Sequence, residues 1–139
     1  MTETWIEKDW ITEAGLRAVI VNVRNSHNNG YIILPHDHPA YGKDYSYWSS
    51  EKDAKELTTV EDAIDNIKVH GGLTFASNSL PNVEDKDIWI FGFDTAHAWD
   101  QSRTKEYAPG TQCTYKNMQY VEKECEALAK QFKRMESDQ

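Results

Sequence analysis

The chain has 139 residues, 39% of them hydrophobic, with 15 Lys and Arg against 23 Asp and Glu for a formal charge of -8. That is the size of one domain with one core, residues 1–139, and its longest apolar stretches, Ala18 to Val21 and Ile88 to Phe93, fall well short of the roughly 18 residues of a membrane span. The charge disfavours direct binding to nucleic acid, whose phosphates are held mainly by Lys and Arg.

In chain order, the start Met1-Thr2-Glu3-Thr4-Trp5 carries acid where a secretory leader carries base and then an apolar block, so a cytoplasmic protein is expected. Arg17 to Val23 is rich in β-branched residues, and Gly30 to Leu34 continues with Tyr, Ile, Ile and Leu after the turn signal Asn28-Asn29-Gly30. These two runs predict a hairpin with a loop longer than two residues, in which His27 would lie. From Ser50 to Ile67 polar residues dominate, and Ser50 with Asp53 and Thr58 with Glu61 have capping-box spacing, which predicts short helices. Val60, Ala63, Ile64 and Ile67 then recur at helical spacing. Leu73, Thr74 and Phe75 follow Gly71-Gly72 as a strand start, and Ile88 to Phe93 predicts a strand buried on both faces at the centre of a sheet. Met118, Val121, Cys125, Leu128, Phe132 and Met135 step by 3, 4, 3, 4 and 3, which is one apolar stripe on a long helix, with Asn117 as its cap. Packing across the sheet is its expected use; a two-stranded coil would need sustained heptads. The sum is an α+β domain: a small, mostly antiparallel sheet with short helices and one long C-terminal helix packed on it.

Four of the five histidines fall in three segments otherwise marked by Gly, Pro and Asp: Pro35-His36-Asp37-His38-Pro39, Val69-His70-Gly71-Gly72 and Gly92-Phe93-Asp94-Thr95-Ala96-His97. His36 and His38 would point to one side of an extended chain, and Asp94 and His97 would converge if the chain turns helically after the strand. Zinc takes imidazole nitrogen and carboxylate oxygen in a tetrahedron, so His38, His70, Asp94 and His97 would supply four ligands, with His36 or Asp100 as a replacement. The spacings match none of the stronger zinc signatures. The plainer readings stay open beside this one: a histidine that braces a turn, an Asp94 that caps one, a surface His36. Trp89, Phe91, Phe93 and Trp99 are expected in the core, whereas Tyr41, Tyr45, Tyr47 and Trp48 lie in a polar segment with the composition of a binding surface or of a packed loop.

Phosphate-loop, nucleophile-elbow and dinucleotide-turn motifs are missing. Cys113 and Cys125 are read as reduced thiols, Cys125 inert on its apolar stripe. By thirds, residues 1–50 carry 4 bases and 6 acids, residues 51–100 carry 4 and 11, and residues 101–139 carry 7 and 6, so the acidic surplus sits in the middle. Solubility alone accounts for such a charge, and so does a basic protein partner that the field would steer in.

Gly30-Tyr31, His38-Pro39-Ala40-Tyr41-Gly42-Lys43-Asp44-Tyr45, Val69 to Phe75 and Ile90 to His97, together with Tyr120-Val121-Glu122 and Cys125 to Ala129, resemble a family of short proteins encoded mostly by bacteriophages and prophages. The similarity runs from about Gly30 through the final helix and leaves out the first 15 or so residues. It implies a phage origin rather than a reaction, and its characteristic positions fall on His38, His70, Asp94 and His97. Trp99 stands where the pattern often has Gly, which puts Asp100 in doubt as a ligand. A small acidic phage protein is expected to act as an inhibitor of a host defence nuclease, anti-CRISPR-like, by binding a basic protein surface through its acidic middle third and the Tyr41 to Trp48 segment, with a structural zinc or other divalent ion. The alternative is a metal-dependent hydrolase whose ion keeps one position for water, with Asp37 or Asp100 as the nearest base. A third reading is an interaction module without metal.

Overall fold

The computed structural model describes residues 4–23, 27–45, 59–69, 72–80, 83, 85–94, 100, 101, 114, 115 and 118–137. Five strands form one antiparallel sheet: β1 (Thr4–Ile11), β2 (Arg17–Val23), β3 (His27–Pro35), β4 (Phe75–Ser77) and β5 (Ile88–Asp94), in the order β1-β2-β3-β5-β4. A short parallel pair, β6 (Asp100–Gln101) and β7 (Thr114–Tyr115), stands apart. Helix α1 (Val60–Asp65) is brief, and α2 (Met118–Ser137) is the long C-terminal helix. This is the expected α+β class. Among the described residues, no helix is long and apolar enough to cross a membrane.

The expected hairpin is β2–β3, paired from Arg17↔Ile33 to Val23↔His27. Asn28, Asn29 and Gly30 are not its turn but lie inside β3. Gly30 is in the strand for a packing reason: a Cβ there would sit 2.6 Å from the Phe93 ring and 2.7 Å from Cys125 Sγ. Its missing side chain lets Phe93, its neighbour across the ladder, and α2 close on the backbone. Gly92 serves the opposite face in the same way, since a Cβ there would run into the Tyr31 ring.

Alternation along the strands divides the core. On one face, Ala18, Ile20, Ile32, Leu34, Phe91 and Phe93 meet the α2 stripe of Val121, Cys125, Leu128, Phe132 and Met135, with Ile64 of α1 at the margin. Phe91 and Phe132 stack at 5.0 Å. On the other face, Val19, Val21, Tyr31, Ile33 and Ile90 are covered by Leu80 and Val83, and Phe75 packs edge-on to Tyr31. Strands β2 and β5 are therefore buried on both faces, while Trp5, Ile6 and Ile11 of β1 stay exposed. Strand β5 is buried on both faces as expected, but it is fourth in the sheet and β3 is the middle strand.

Two local readings shift. The cap of α1 is Thr59, whose hydroxyl accepts from Asp62 N–H at 3.0 Å, one residue after the expected Thr58; Thr58 itself, with Ser50 and Asn117, lies outside the described residues. The residues of β1 carry no strand signal in the sequence. A register irregularity between Ile6 and Lys8 interrupts its alternation, so Thr4, Ile6, Asp9 and Ile11 share one face while Trp5, Lys8 and Trp10 share the other.

Candidate functional site

His38 is 3% exposed, in the turn that follows β3. Its Nδ1 accepts from Ala40 N–H at 3.0 Å, so that nitrogen carries no proton, and Nε2–H donates to the Phe132 carbonyl at 2.9 Å. The ring also packs edge-on to Phe132, with centroids 6.0 Å apart. Burial holds this imidazole below its ordinary pKa, against an upward pull from the Phe132 carbonyl. Both nitrogens are spent on joining the turn to α2, which is the plainer of the two roles the sequence offered.

Asp94 ends β5 opposite Asn29, whereas Pro35, three residues before His38, is opposite Ile88 at the other end of the same ladder. Six steps along the strand lead from Ile88 to Asp94, roughly 20 Å at about 3.3 Å each. The structure therefore does not bring His38 and Asp94 together, and one ion does not take both. His70 and His97 lie outside the described residues. Of the described residues that flank His70, Gly72 leads to Thr74, whose N–H donates to the Gly92 carbonyl at 2.9 Å beside the end of β5 that carries Asp94, while Lys68 exchanges hydrogen bonds of 2.8 and 2.7 Å with Gln131 of α2. Asp100 opens β6 opposite Thr114, and His36 is exposed with its ring 4.7 Å from that of Tyr41. Among the described residues, no three of His, Cys, Asp and Glu gather as ligands for an ion.

The Asp94 end also collects neutral polar groups. Asn29 Nδ2 donates to the Tyr31 hydroxyl at 3.3 Å, on the sheet face that Asp94 shares with them. Burial raises the Tyr31 pKa, the Asn29 hydrogen bond opposes that, and the charge of Asp94 adds to the rise. The phenol is a neutral hydrogen-bonding group there.

The opposite end is where the carboxylates are. Asp9, Glu13, Asp37, Asp85 and Asp87 are all exposed, in or beside the β1–β2 turn, the turn after β3 and the approach to β5. Arg17 reaches Asp9 at 2.8 Å and Asp85 at 3.1 Å, and these contacts drive its pKa up. Sequence reading placed the acidic surplus in the middle third; the folded cluster draws on the first third as well, because the hairpin carries Asp9 and Glu13 to the start of β5. No local spacing announces this, since Asp9 and Arg17 become neighbours only through the β1–β2 register. Nearby, Tyr41 and Trp89 lie with ring centroids 6.2 Å apart, and Trp89 Nε1–H donates to the Lys43 carbonyl at 2.7 Å. Tyr45 is half-buried against the core, while Tyr47 and Trp48 lie outside the described residues. Cys125 is buried and its thiol is pushed up to about 12, mainly by desolvation, so it is no nucleophile.

No family model, no curated protein and no solved structure matches the chain.

Proposed function

We propose that the protein is an acidic binding protein that inhibits a nucleic-acid-guided nuclease of a host cell by covering a basic surface of that enzyme. The observation that carries the reading is the carboxylate end of the sheet: five exposed acids, Asp9, Glu13, Asp37, Asp85 and Asp87, set against Arg17 and Lys86. Arg17 is already held by two of them. Such a patch steers a cationic protein surface and repels free nucleic acid. Nucleases of this kind hold their guide and target in positively charged channels, which is the surface chemistry the patch complements. The half-buried rings of Tyr41 and Trp89 and the exposed His36 beside the patch add the aromatic contact area that binding surfaces favour.

Within this proposal a structural zinc or similar divalent ion belongs with Asp94, His70 and His97; His38 takes no part because its nitrogens are committed to Ala40 and Phe132. The test of the main reading is binding and inhibition of guided nucleases as a function of salt, with Glu13→Lys/Asp85→Lys/Asp87→Lys beside Glu61→Lys/Asp65→Lys on α1. Loss of inhibition in the first variant, with a steep fall in affinity as salt rises, is the expected result. Binding that ignores both salt and charge reversal would refute the proposal.

A further inference from the structure

Three rings stand in a row at the carboxylate end of the sheet. Trp89, opposite Leu34 on the helix side, packs against the core and donates its Nε1–H to the Lys43 carbonyl at 2.7 Å. That bond uses the polar edge of the indole, so what it still offers is ring face. Tyr41 lies 6.2 Å from Trp89 by ring centroids, and His36 lies 4.7 Å from Tyr41. The planes are tilted by 53° and 48°, so the row is a folded shelf and not a closed face-to-face stack. His36 is exposed and the two larger rings are half-buried, so all three reach solvent. The row is in place before anything binds: Tyr41 N–H donates to the His38 carbonyl at 3.0 Å and Lys43 N–H to that of Ala40 at 3.1 Å, in turns that His38 ties to α2. A ligand therefore orders little on arriving.

The charge around the rings decides what they receive. Their two segments, residues 35–45 and 85–89, hold four acids, Asp37, Asp44, Asp85 and Asp87, and two lysines, Lys43 and Lys86. The ion pairs that reach these segments keep the sign: Lys43 is bound by Glu61, and Asp85 brings in Arg17, which Asp9 also holds. Lys133 and Glu136 of α2, whose charges act on His38, are paired with each other at 3.2 Å. A cation is therefore drawn to the rings. The same chain shows such an arrangement on β1, where the Lys8 ammonium is 4.7 Å from the Trp10 ring centroid and 3.1 Å from Glu122. A row of ring faces favours a flat cation over a compact one, because guanidinium is planar, weakly hydrated and stacks on aromatics, whereas an ammonium holds its water. We propose that His36, Tyr41 and Trp89 take an arginine side chain of the partner, its guanidinium on the ring faces and its charge set against the carboxylates of the two ring-bearing segments. The assignment rests on reading the carboxylate end as a surface for a basic protein, and adds which side chain of that protein is recognised.

Two blocked peptides of equal charge, acetyl-Gly-Arg-Gly-Arg-Gly-amide and its lysine counterpart, titrated into the full chain test this, with the Trp89 indole N–H resonance as local reporter. The arginine peptide is expected to bind about fivefold tighter and to move that resonance. His36→Ala/Tyr41→Leu, which removes two rings and keeps apolar area at position 41, should bind both peptides equally with the parent's far-ultraviolet spectrum; Tyr41→Phe, which keeps the ring, should preserve the preference. Equal affinity of the parent for both peptides, no binding of either, or a preference that survives loss of the rings would each overturn the assignment. Equal affinities that vanish in Glu13→Lys/Asp85→Lys/Asp87→Lys would remove the shelf and leave the acidic surface standing. An arginine preference in a protein that inhibits no guided nuclease would uphold the shelf and remove the nuclease.

Discussion

The His38 brace gives the sharpest test of how the sheet and α2 are joined. Replacing it with alanine removes the acceptor of Ala40 N–H and the donor to the Phe132 carbonyl, with Ala40 fully buried and the ring itself 3% exposed. Ala40 N–H left without a partner costs about 1–3 kcal/mol, the Phe132 carbonyl keeps its helical partner within α2, and the emptied ring volume beside Phe132 adds a cavity cost, so a loss of about 2–4 kcal/mol is expected. For a domain of this size the thermal midpoint falls by roughly 6–15 °C. The pH dependence has a definite sign. Burial lowers the pKa of the folded ring, so as pH falls the unfolded chain takes up its proton first. The His38 contribution is complete above the unfolded value of about 6.5 and is lost as pH drops from there toward the lower folded value. Urea denaturation of parent, His38→Ala and His38→Asn at pH 7.5 and 5.5, with and without a chelator, measures this. Asn keeps an acceptor for Ala40 N–H but does not titrate, so it should lose less than Ala and should lack the parent's extra acid sensitivity. An alanine variant as stable as the parent would refute the reasoning. So would a chelator that brings the parent down to the variant while zinc restores it, because His38 would then be a ligand and not a strut.

Gly30→Ala forces a Cβ to within 2.6 Å of Phe93 and 2.7 Å of Cys125, neither at the end of a flexible chain, and should cost about 1–3 kcal/mol in chemical denaturation. Thr59→Ala removes the α1 cap and should cost about 1 kcal/mol by the same measurement, with the effect confined to α1 amides in hydrogen exchange. In a Cys113→Ser background the thiol of Cys125, pushed up to about 12 and buried, should react with a disulfide reagent no faster than the chain opens; rapid modification at pH 8 would contradict the packing of α2 on β3. Elemental analysis of untagged protein should find zinc that survives His38→Ala and disappears in His97→Ala; metal-free parent protein would remove the ion from the proposal and leave the acidic patch untouched.

Those elements that announce themselves by local period were legible. The α2 stripe reads directly because every third or fourth residue from Val121 to Met135 enters the core, and β2 and β5 read because their β-branched and aromatic runs are buried on both faces. Strand β1 was not legible, although Thr4-Trp5-Ile6-Glu7-Lys8-Asp9-Trp10-Ile11 holds two Trp and two Ile, because the irregularity at Glu7 shifts the alternation by one and leaves neither half long enough to be a signal. Gly30 misled for a related reason. Asn-Asn-Gly is turn chemistry when read locally, and only the arrival of Phe93 and Cys125, more than sixty residues further on, explains a glycine inside a strand.

Ligand spacing is blind to a different quantity, which end of a strand a loop hangs from. His36, Asp37 and His38 follow β3, and Asp94 ends β5, so each motif read alone is the residue set at a strand's C-terminal end. In a parallel sheet those ends would coincide and the two motifs would meet. Strands β3 and β5 are antiparallel neighbours, and the same reading places the motifs at opposite ends, roughly 20 Å apart by strand rise. Strand β4 reverses the relation again: the residues before it, Gly72 and Leu73, lie at the Asp94 end because β4 also runs antiparallel to β5. Strand direction alone therefore divides the candidate ligands into His38, which ties the turn after β3 to α2, and Asp94, beside which the Gly72 segment runs. Transplanting imidazoles to positions 29 and 31 (Asn29→His/Tyr31→His) would place them on the same face and end as Asp94 and should create cobalt or zinc binding visible by absorption spectroscopy. The same pair at 33 and 35 (Ile33→His/Pro35→His) should bind no ion with Asp94, and an Asp94-dependent signal from that second pair would refute the register on which this division rests.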